Sequence, residues 1–330
     1  MDKNDYYISD DILTSALESL RTTMTEAEYR KAAAGALKLS RVARFRSLNT
    51  YAHLETLLSQ IFGKLYFSSA RGFNDPYDTL MYVDYPKALG AVGRLIKRDF
   101  PSYLEDLKAS NPLKHKIAVE YLGLSNGPSD KQIFQFLCCL EKALEEIKQQ
   151  IRDDSRSICF SKNFLSTIQW SHYADNHRGV VLLYNKFDLI SAKCFDRSNK
   201  PIDISFKLYD VKYSKDRPDG TELILDYFLY LCGKREDFPV ERLREIILTK
   251  DAVWEYENET RLLPTDLNFE VAKDCSYLEV KPKAIIMGAK ISEEHKVIIQ
   301  SAAEKAGCLL HEAWYDENRC DYNVVFQQVT

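Results

Sequence analysis

The 330-residue chain has eight cysteines but no C-x-x-C pair. A zinc site or a small disulfide scaffold therefore has no spacing to rest on, and buried free thiols in a reducing compartment are the simpler reading. No run approaches the ~18 apolar residues that suggest a spanning helix. The opening MDKNDYYISDDI is acidic and lacks an apolar stretch, so it does not read as a signal peptide, and a cytoplasmic protein with no membrane partner is expected. Neither G-x-G-x-x-G nor a Walker sequence is present, which argues against the usual nucleotide folds. Internal repeats and low-complexity linkers are absent too. A surplus of positive charge is also missing. The formal net charge is -4, so no bulk basic character draws the chain to nucleic acid or anionic lipid, although a local basic groove stays open.

What is present is ordinary globular composition, 45% hydrophobic and 28% charged. Residues 10–38 alternate at helical spacing, with Ile12, Leu13, Ala16 and Leu20 on one face, and residues 1–40 are expected to form a helical extension. Residues 41–330 then read as one α+β domain. VARFRS (42–47) and LYFSS (65–69) are strand patterns. Between them 50–62 repeats apolar residues at helical steps, with Asn49 or Thr50 as cap and Gly63 as stop. Residues 86–152 read as a helical insertion. Strands are expected at 157–161, 179–185, 205–213, 252–263 and 284–288, a helix from Ser292 to Lys305, and two closing strands. No regular βαβα rhythm appears, which favours α+β with a mixed, mainly antiparallel sheet over a doubly wound sheet.

Four constellations carry possible chemistry. On a strand, Arg44 and Arg46 share one face and Phe45 and Ser47 the other, and paired guanidiniums can grip a phosphate or carboxylate. From this segment alone, a solvated strand face is the simpler reading. In FNDPYD (73–78), Asp75 suits a cap with Asp78 near the third helical position, while capping leaves Asn74 unexplained. WSHYADNHRG (170–179) suggests a short helix ending at Gly179. Trp170, Tyr173 and Ala174 form one face, His172, Asp175 and Asn176 project elsewhere, and His177 is expected at the surface. A histidine near a carboxylate can be an oriented acid or base, or simply a structural hydrogen-bonder. Finally, WEYENETR (254–261) read as a strand places Glu255, Glu257, Glu259 and Arg261 on one face. Lining a cleft, one of those carboxylates can serve as a base; solvated, they are bland.

Taken together these segments resemble the bacterial DUF2971 family, whose function is unsettled. The resemblance rests on Phe45-Arg46-Ser47, Leu65-Tyr66-Phe67-Ser68, Phe73-Asn74-Asp75-Pro76, Cys159-Phe160-Ser161, Trp170 to Ala174, Trp254 to Arg261 and Ile285 to Gly288. Phe45 stands where that family usually has Tyr, and Gln169 where it has Met. A weaker resemblance is to ADP-ribosyltransferases of the DNA-targeting toxin type, which use NAD as substrate and need no metal. It implies that Arg46 contacts the NAD phosphates and that Ser47 or Asn74 orients the ribose. It further implies that His172 and Tyr173 bracket the nicotinamide, with Ser161 and Arg261 in the same site. Glu257 or Glu259 would then stabilise the oxocarbenium-like state. It also implies a macromolecular acceptor, nucleic acid or protein, and service in toxin or antiviral defence. Two alternatives stand beside it: a metal-dependent nuclease using Asp75, Asp78, Glu257 and Glu259, and a non-catalytic sensor or partner-binding module. The transferase reading requires Arg46, His172 and a glutamate of 257/259 in one cleft, and it fails if those side chains sit on different faces.

Overall fold

A computed structural model describes Thr25 and residues 40–329, apart from 111, 113–114, 117–118, 120–128, 232–234, 236–239, 266–271, 319, 321 and 323. The helix expected at 10–38 lies outside the described residues. Along the chain come β1 (Arg41–Arg46), α1 (Tyr51–Ile61), β2 (Lys64–Tyr66), α2 (Tyr85–Ser110), α3 (Asp130–Asp154), β3 (Ile158–Ser161) and α4 (Thr167–Tyr173). They are followed by β4 (Val180–Asn185), α5 (Lys186–Ile190), β5 (Lys193–Phe195), β6 (Pro201–Ile202), β7 (Phe206–Asp210), β8 (Lys212–Ser214), α6 (Thr221–Leu231), α7 (Val240–Leu248) and β9 (Thr249–Asp251). After a 3-10 turn over Ala252–Glu257 come β10 (Glu259–Pro264), β11 (Tyr277–Glu279), β12 (Ala284–Met287), α8 (Glu293–Ala306), β13 (Leu309–Trp314) and β14 (Val325–Gln328).

The chain divides into two compact units. Unit 1 comprises 1–68, 156–211 and 253–330; unit 2 comprises 69–155 and 212–252. Unit 1 is the α+β body. Its larger sheet runs β14-β13-β12-β4-β1-β3-β10-β7, and every described pairing in it is antiparallel except β12 with β13. That parallel pair needs a crossover, which α8 supplies. A smaller sheet runs β2-β11-β5-β6. In unit 2, β8 and β9 pair in parallel and Tyr82 bridges Asp219. The helices of the expected 86–152 insertion fall in unit 2, together with α6 and α7.

Local signals explain the helix ends. Thr50 accepts from the His53 amide and caps α1; Ser292 does the same for α8 through His295. Gly307 ends α8 in the left-handed region at φ 72°. Strand β4 is buried at every residue, as its unbroken apolar run demands of a central strand.

Alternation sorts the larger sheet into two faces. Val42, Leu182, Tyr184, Phe160 and Leu262 point to one, where α1 brings Leu57 and Ile61 and α8 brings Ile299, Ala302 and Ala303. Ala43, Phe45, Val181 and Leu183 point to the other, which α4 covers with Trp170 and Ala174. Phe45 meets the Trp170 ring edge-on, with centroids 5.6 Å apart.

Three expected elements differ. The 205–213 strand breaks at Val211, whose amide bonds to Glu259, so its halves join different sheets. The 252–263 strand begins only at Glu259, because Ala252–Glu257 winds as a 3-10 turn and Asn258 takes φ 46°. After FNDP the chain makes turns rather than a helix; Asp75 caps them by accepting from the Tyr77 amide at 2.8 Å.

Two glycines let backbones meet where β4 and β12 start and end. An added Cβ at Gly179 falls 2.1 Å from the Arg46 carbonyl oxygen, and at Gly288 2.2 Å from that of His177. Main-chain atoms cannot swing aside as a side chain can. Gly179→Ala or Gly288→Ala is expected to cost about 1–3 kcal/mol or more. The three tryptophans, Trp170, Trp254 and Trp314, all lie in unit 1, so urea unfolding followed by their fluorescence measures that loss.

Candidate functional site

The densest polar cluster forms where α4 meets the 3-10 turn before β10. Gln169 sits on the buried side of α4. Its amide Nε2 donates to the carbonyls of Tyr256 and Glu257, both at 3.1 Å. The Ser161 hydroxyl, at the end of β3, donates to the Glu257 carbonyl at 2.7 Å and accepts from the Asn163 amide at 2.9 Å. These bonds satisfy carbonyls that a strand would have paired, and they hold the turn in place. Gln169 was noticed in the sequence only as a departure from Met. A polar residue on the apolar side of a short helix was the signal available.

The fixed turn presents its side chains to α4. Tyr173 donates its hydroxyl to the Glu257 carboxylate, which is buried. One residue earlier on each element, His172 Nδ1 lies 3.0 Å from the Tyr256 hydroxyl, and the rings meet edge-on at 5.7 Å. Trp254 continues the row, 6.1 Å from Tyr256. His172 is exposed, and Tyr173, Tyr256 and Trp254 are half-buried. The result is a row of exposed and half-buried rings beside a buried carboxylate.

Glu259 and Arg261 have another role. Arg261 is fully buried and Glu259 nearly so, and the guanidinium grips the carboxylate through Nε at 2.7 Å and Nη2 at 3.2 Å. Glu259 pairs with Ser161, and Ser161 with Ala43, so these residues share the α4 face of the sheet.

Arg46 does not join them. Its Nε donates to Gln60 Oε1 at 2.8 Å on the α1 face, across the sheet from Glu259. Burial, reinforced by the neighbouring Arg44 charge, lowers its pKa. Ser47 accepts from the Asn49 amide at 3.4 Å at the entry to α1. Asn74 belongs to unit 2, where it is exposed. The structure therefore brings together His172, Tyr173, Glu257 and Ser161, and separates Arg46 from them by the thickness of the sheet.

The end of the 170–179 segment is also corrected. Helix α4 stops at Tyr173, and Asp175, Asn176 and His177 follow with φ of 48°, 52° and 69°, so Asp175 and Asn176 are not on the helix. This triplet folds His177 inward instead of to the surface. Its ring stacks on Trp170 with centroids 6.0 Å apart, and its Nε2 lies 3.2 Å from Ser171 Oγ.

The carboxylates of the nuclease reading are engaged separately. Asp78 is buried in unit 2 with Oδ2 3.9 Å from Lys250 Nζ, and Glu259 is taken by Arg261. Among the described residues no group of three or more His, Cys, Asp or Glu is arranged to hold a metal ion. Nor is any described helix long and apolar enough to cross a membrane.

Residues 169–262 match the family model described as "Protein of unknown function (DUF2971)". This stretch is similar to DUF2971. It begins at Gln169 and ends within β10 at Leu262, so the DUF2971 match contains both the α4 side chains of the cluster and the turn that meets them. No curated protein and no solved structure matches the chain.

The first prediction concerns ion pairs. Arg261→Met strands the Glu259 carboxylate in the interior, and is expected to cost about 3–5 kcal/mol in urea unfolding. Asp210→Asn, which breaks the exposed Lys162–Asp210 pair, is expected to cost less than about 1 kcal/mol. The second concerns pH. Burial, with the Lys290 charge, lowers the His177 pKa, and burial lowers that of His311. Both rings take protons more readily once unfolded, so stability is full above the unfolded value of about 6.5 and declines as pH falls through it toward the folded values. His177→Asn, whose side chain tolerates positive φ, is expected to flatten part of that decline in urea unfolding between about pH 5 and about pH 8.

Proposed function

We propose that the Tyr173–Glu257 and His172–Tyr256 pairs form the reacting half of an NAD-utilising transferase or glycohydrolase site. One observation carries this reading: a buried carboxylate, held by a tyrosine hydroxyl, beside a row of exposed and half-buried rings. Cleavage of the nicotinamide–ribose bond sends the bonding pair to nicotinamide and leaves positive charge on the ribose. A fixed carboxylate stabilises that charge without reorganising. In this reading Glu257 holds the ribose hydroxyl and faces the oxocarbenium-like centre, Tyr173 fixes the carboxylate, and the His172 and Tyr256 rings flank the departing ring. An acceptor oxygen, from water or a macromolecule, then adds to the anomeric carbon and loses its proton. The version of this reading that requires Arg46 in the same cleft fails, since its side chain lies on the other face of the sheet; the narrower version proposed here does without Arg46, and Glu259 serves Arg261 rather than substrate. A role as a toxin or antiviral effector belongs to the same proposal.

A second reading, a partner-binding module, is favoured by one observation. Gln169 and Ser161 both donate to the Glu257 carbonyl, and Arg261 pairs with Glu259, so these buried groups meet one another as in a purely structural core. Nicotinamide release by the purified chain, with and without DNA, RNA or cell extract, separates the two. Wild type is expected to release it, and Glu257→Gln to slow release at least about 100-fold while unfolding at an unchanged urea concentration. Absence of release under every condition would shift the weight to the binding module.

A further inference from the structure

The α1 face of the larger sheet carries an uncompensated charge. Arg44 and Arg46 stand on the same side of β1, and successive same-face positions lie ~7 Å apart. Gln60 occupies only the Nε of Arg46, whose Nη1 makes a long 3.4 Å contact to the neighbouring Phe45 carbonyl. Arg44 Nη1 is buried without a hydrogen-bond partner. The hydroxyl of Tyr184 is too, on a side chain with no exposed surface. Tyr184 shares this face: it pairs with Val42 across the β1–β4 ladder, diagonal to Arg44.

No carboxylate of the described residues is among the charges that act on either guanidinium. The groups that bear on them are the Cys159 thiol, the Tyr184 hydroxyl and, for Arg46, the neighbouring Arg44 guanidinium. Each guanidinium brings five N–H donors. Two half-buried cations side by side, with donors left over, are costly unless an anion lies between them.

We propose that Arg44, Arg46 and Tyr184 form a binding site for a phosphate-type oxyanion. A phosphate dianion matches the two positive charges, and its several oxygens accept from both forks and from the tyrosine hydroxyl at once. This site lies across the sheet from Glu257 and stands whether or not the transferase reading does. Free phosphate and the phosphate of a nucleotide share this chemistry.

Titration calorimetry on the full chain, prepared in phosphate-free buffer at fixed ionic strength, tests it with inorganic phosphate, AMP and chloride. Phosphate is expected to bind saturably and chloride not at all. Arg44→Gln is expected to weaken phosphate at least about tenfold, from the loss of one charge-assisted hydrogen bond. Tyr184→Phe keeps the packing and is expected to weaken it severalfold; it stands in if the arginine variant does not fold. Equal affinities assign the site to free phosphate, and tighter AMP binding that Arg44→Gln also weakens assigns it to a nucleotide phosphate. The proposal is overturned if phosphate shows no saturable binding and denaturing the purified chain releases none, or if both variants bind as wild type does.

Discussion

A guanidinium with no exposed surface has to be met by a carboxylate, and the Arg261–Glu259 pair meets that constraint within a single strand. Removing one partner is far more costly than the pair is stabilising, so the start of β10 is fixed to the residue. The consequences spread outward. With Glu259 turned to the α4 face, its own carbonyl takes the Val211 amide, and Asn258 enters the left-handed region to begin the strand. The preceding residues cannot then continue the ladder, and they coil as a 3-10 turn. Gln169 and Ser161 accept that geometry by capping its carbonyls. Glu257 reaches Tyr173 because of this sequence of constraints.

Most regular elements were legible in the sequence because each rests on local physics. The α1 and α8 boundaries follow from Thr50, Ser292 and Gly307, side chains or φ values that act within one turn. Strands β4 and β12 follow from unbroken apolar runs bounded by Gly179 and Gly288. WEYENETR misled because acids and aromatics alternate there, which a strand and a 3-10 turn with one side wet both permit. The residue that distinguishes them is Asn258, whose side chain tolerates positive φ. His177 misled in the same way: Asp175, Asn176 and His177 are all residue types that tolerate positive φ, and with all three there a polar side chain turns into the interior, a direction that helical spacing does not give.

The candidate site was half legible. His172, Tyr173 and Glu257 were singled out from separate motifs, and the fold joins them. Arg46 could not be placed the same way. Alternation within one strand says that Arg44 and Arg46 share a face, but only the register across β1, β3 and β10 says that Glu259 has the other. A sheet one residue thick thereby keeps a cluster of cations apart from the carboxylates that sequence spacing alone would have drawn together.

The two chain segments that make up unit 2 leave and re-enter unit 1 at sites already tied. Ser68 and Ser157 exchange amide hydrogen bonds of 2.9 and 3.1 Å on either side of the 69–155 segment, and the Val211 amide binds Glu259 across the 212–252 segment. Each excursion is therefore a loop whose mouth the core itself holds shut. Because the entropy of closing a loop grows only with the logarithm of its length, such mouths tolerate long or short insertions at nearly equal cost. In evolutionary terms, the sheet that carries the polar cluster can stay constant while the helical excursions lengthen, shrink or diverge.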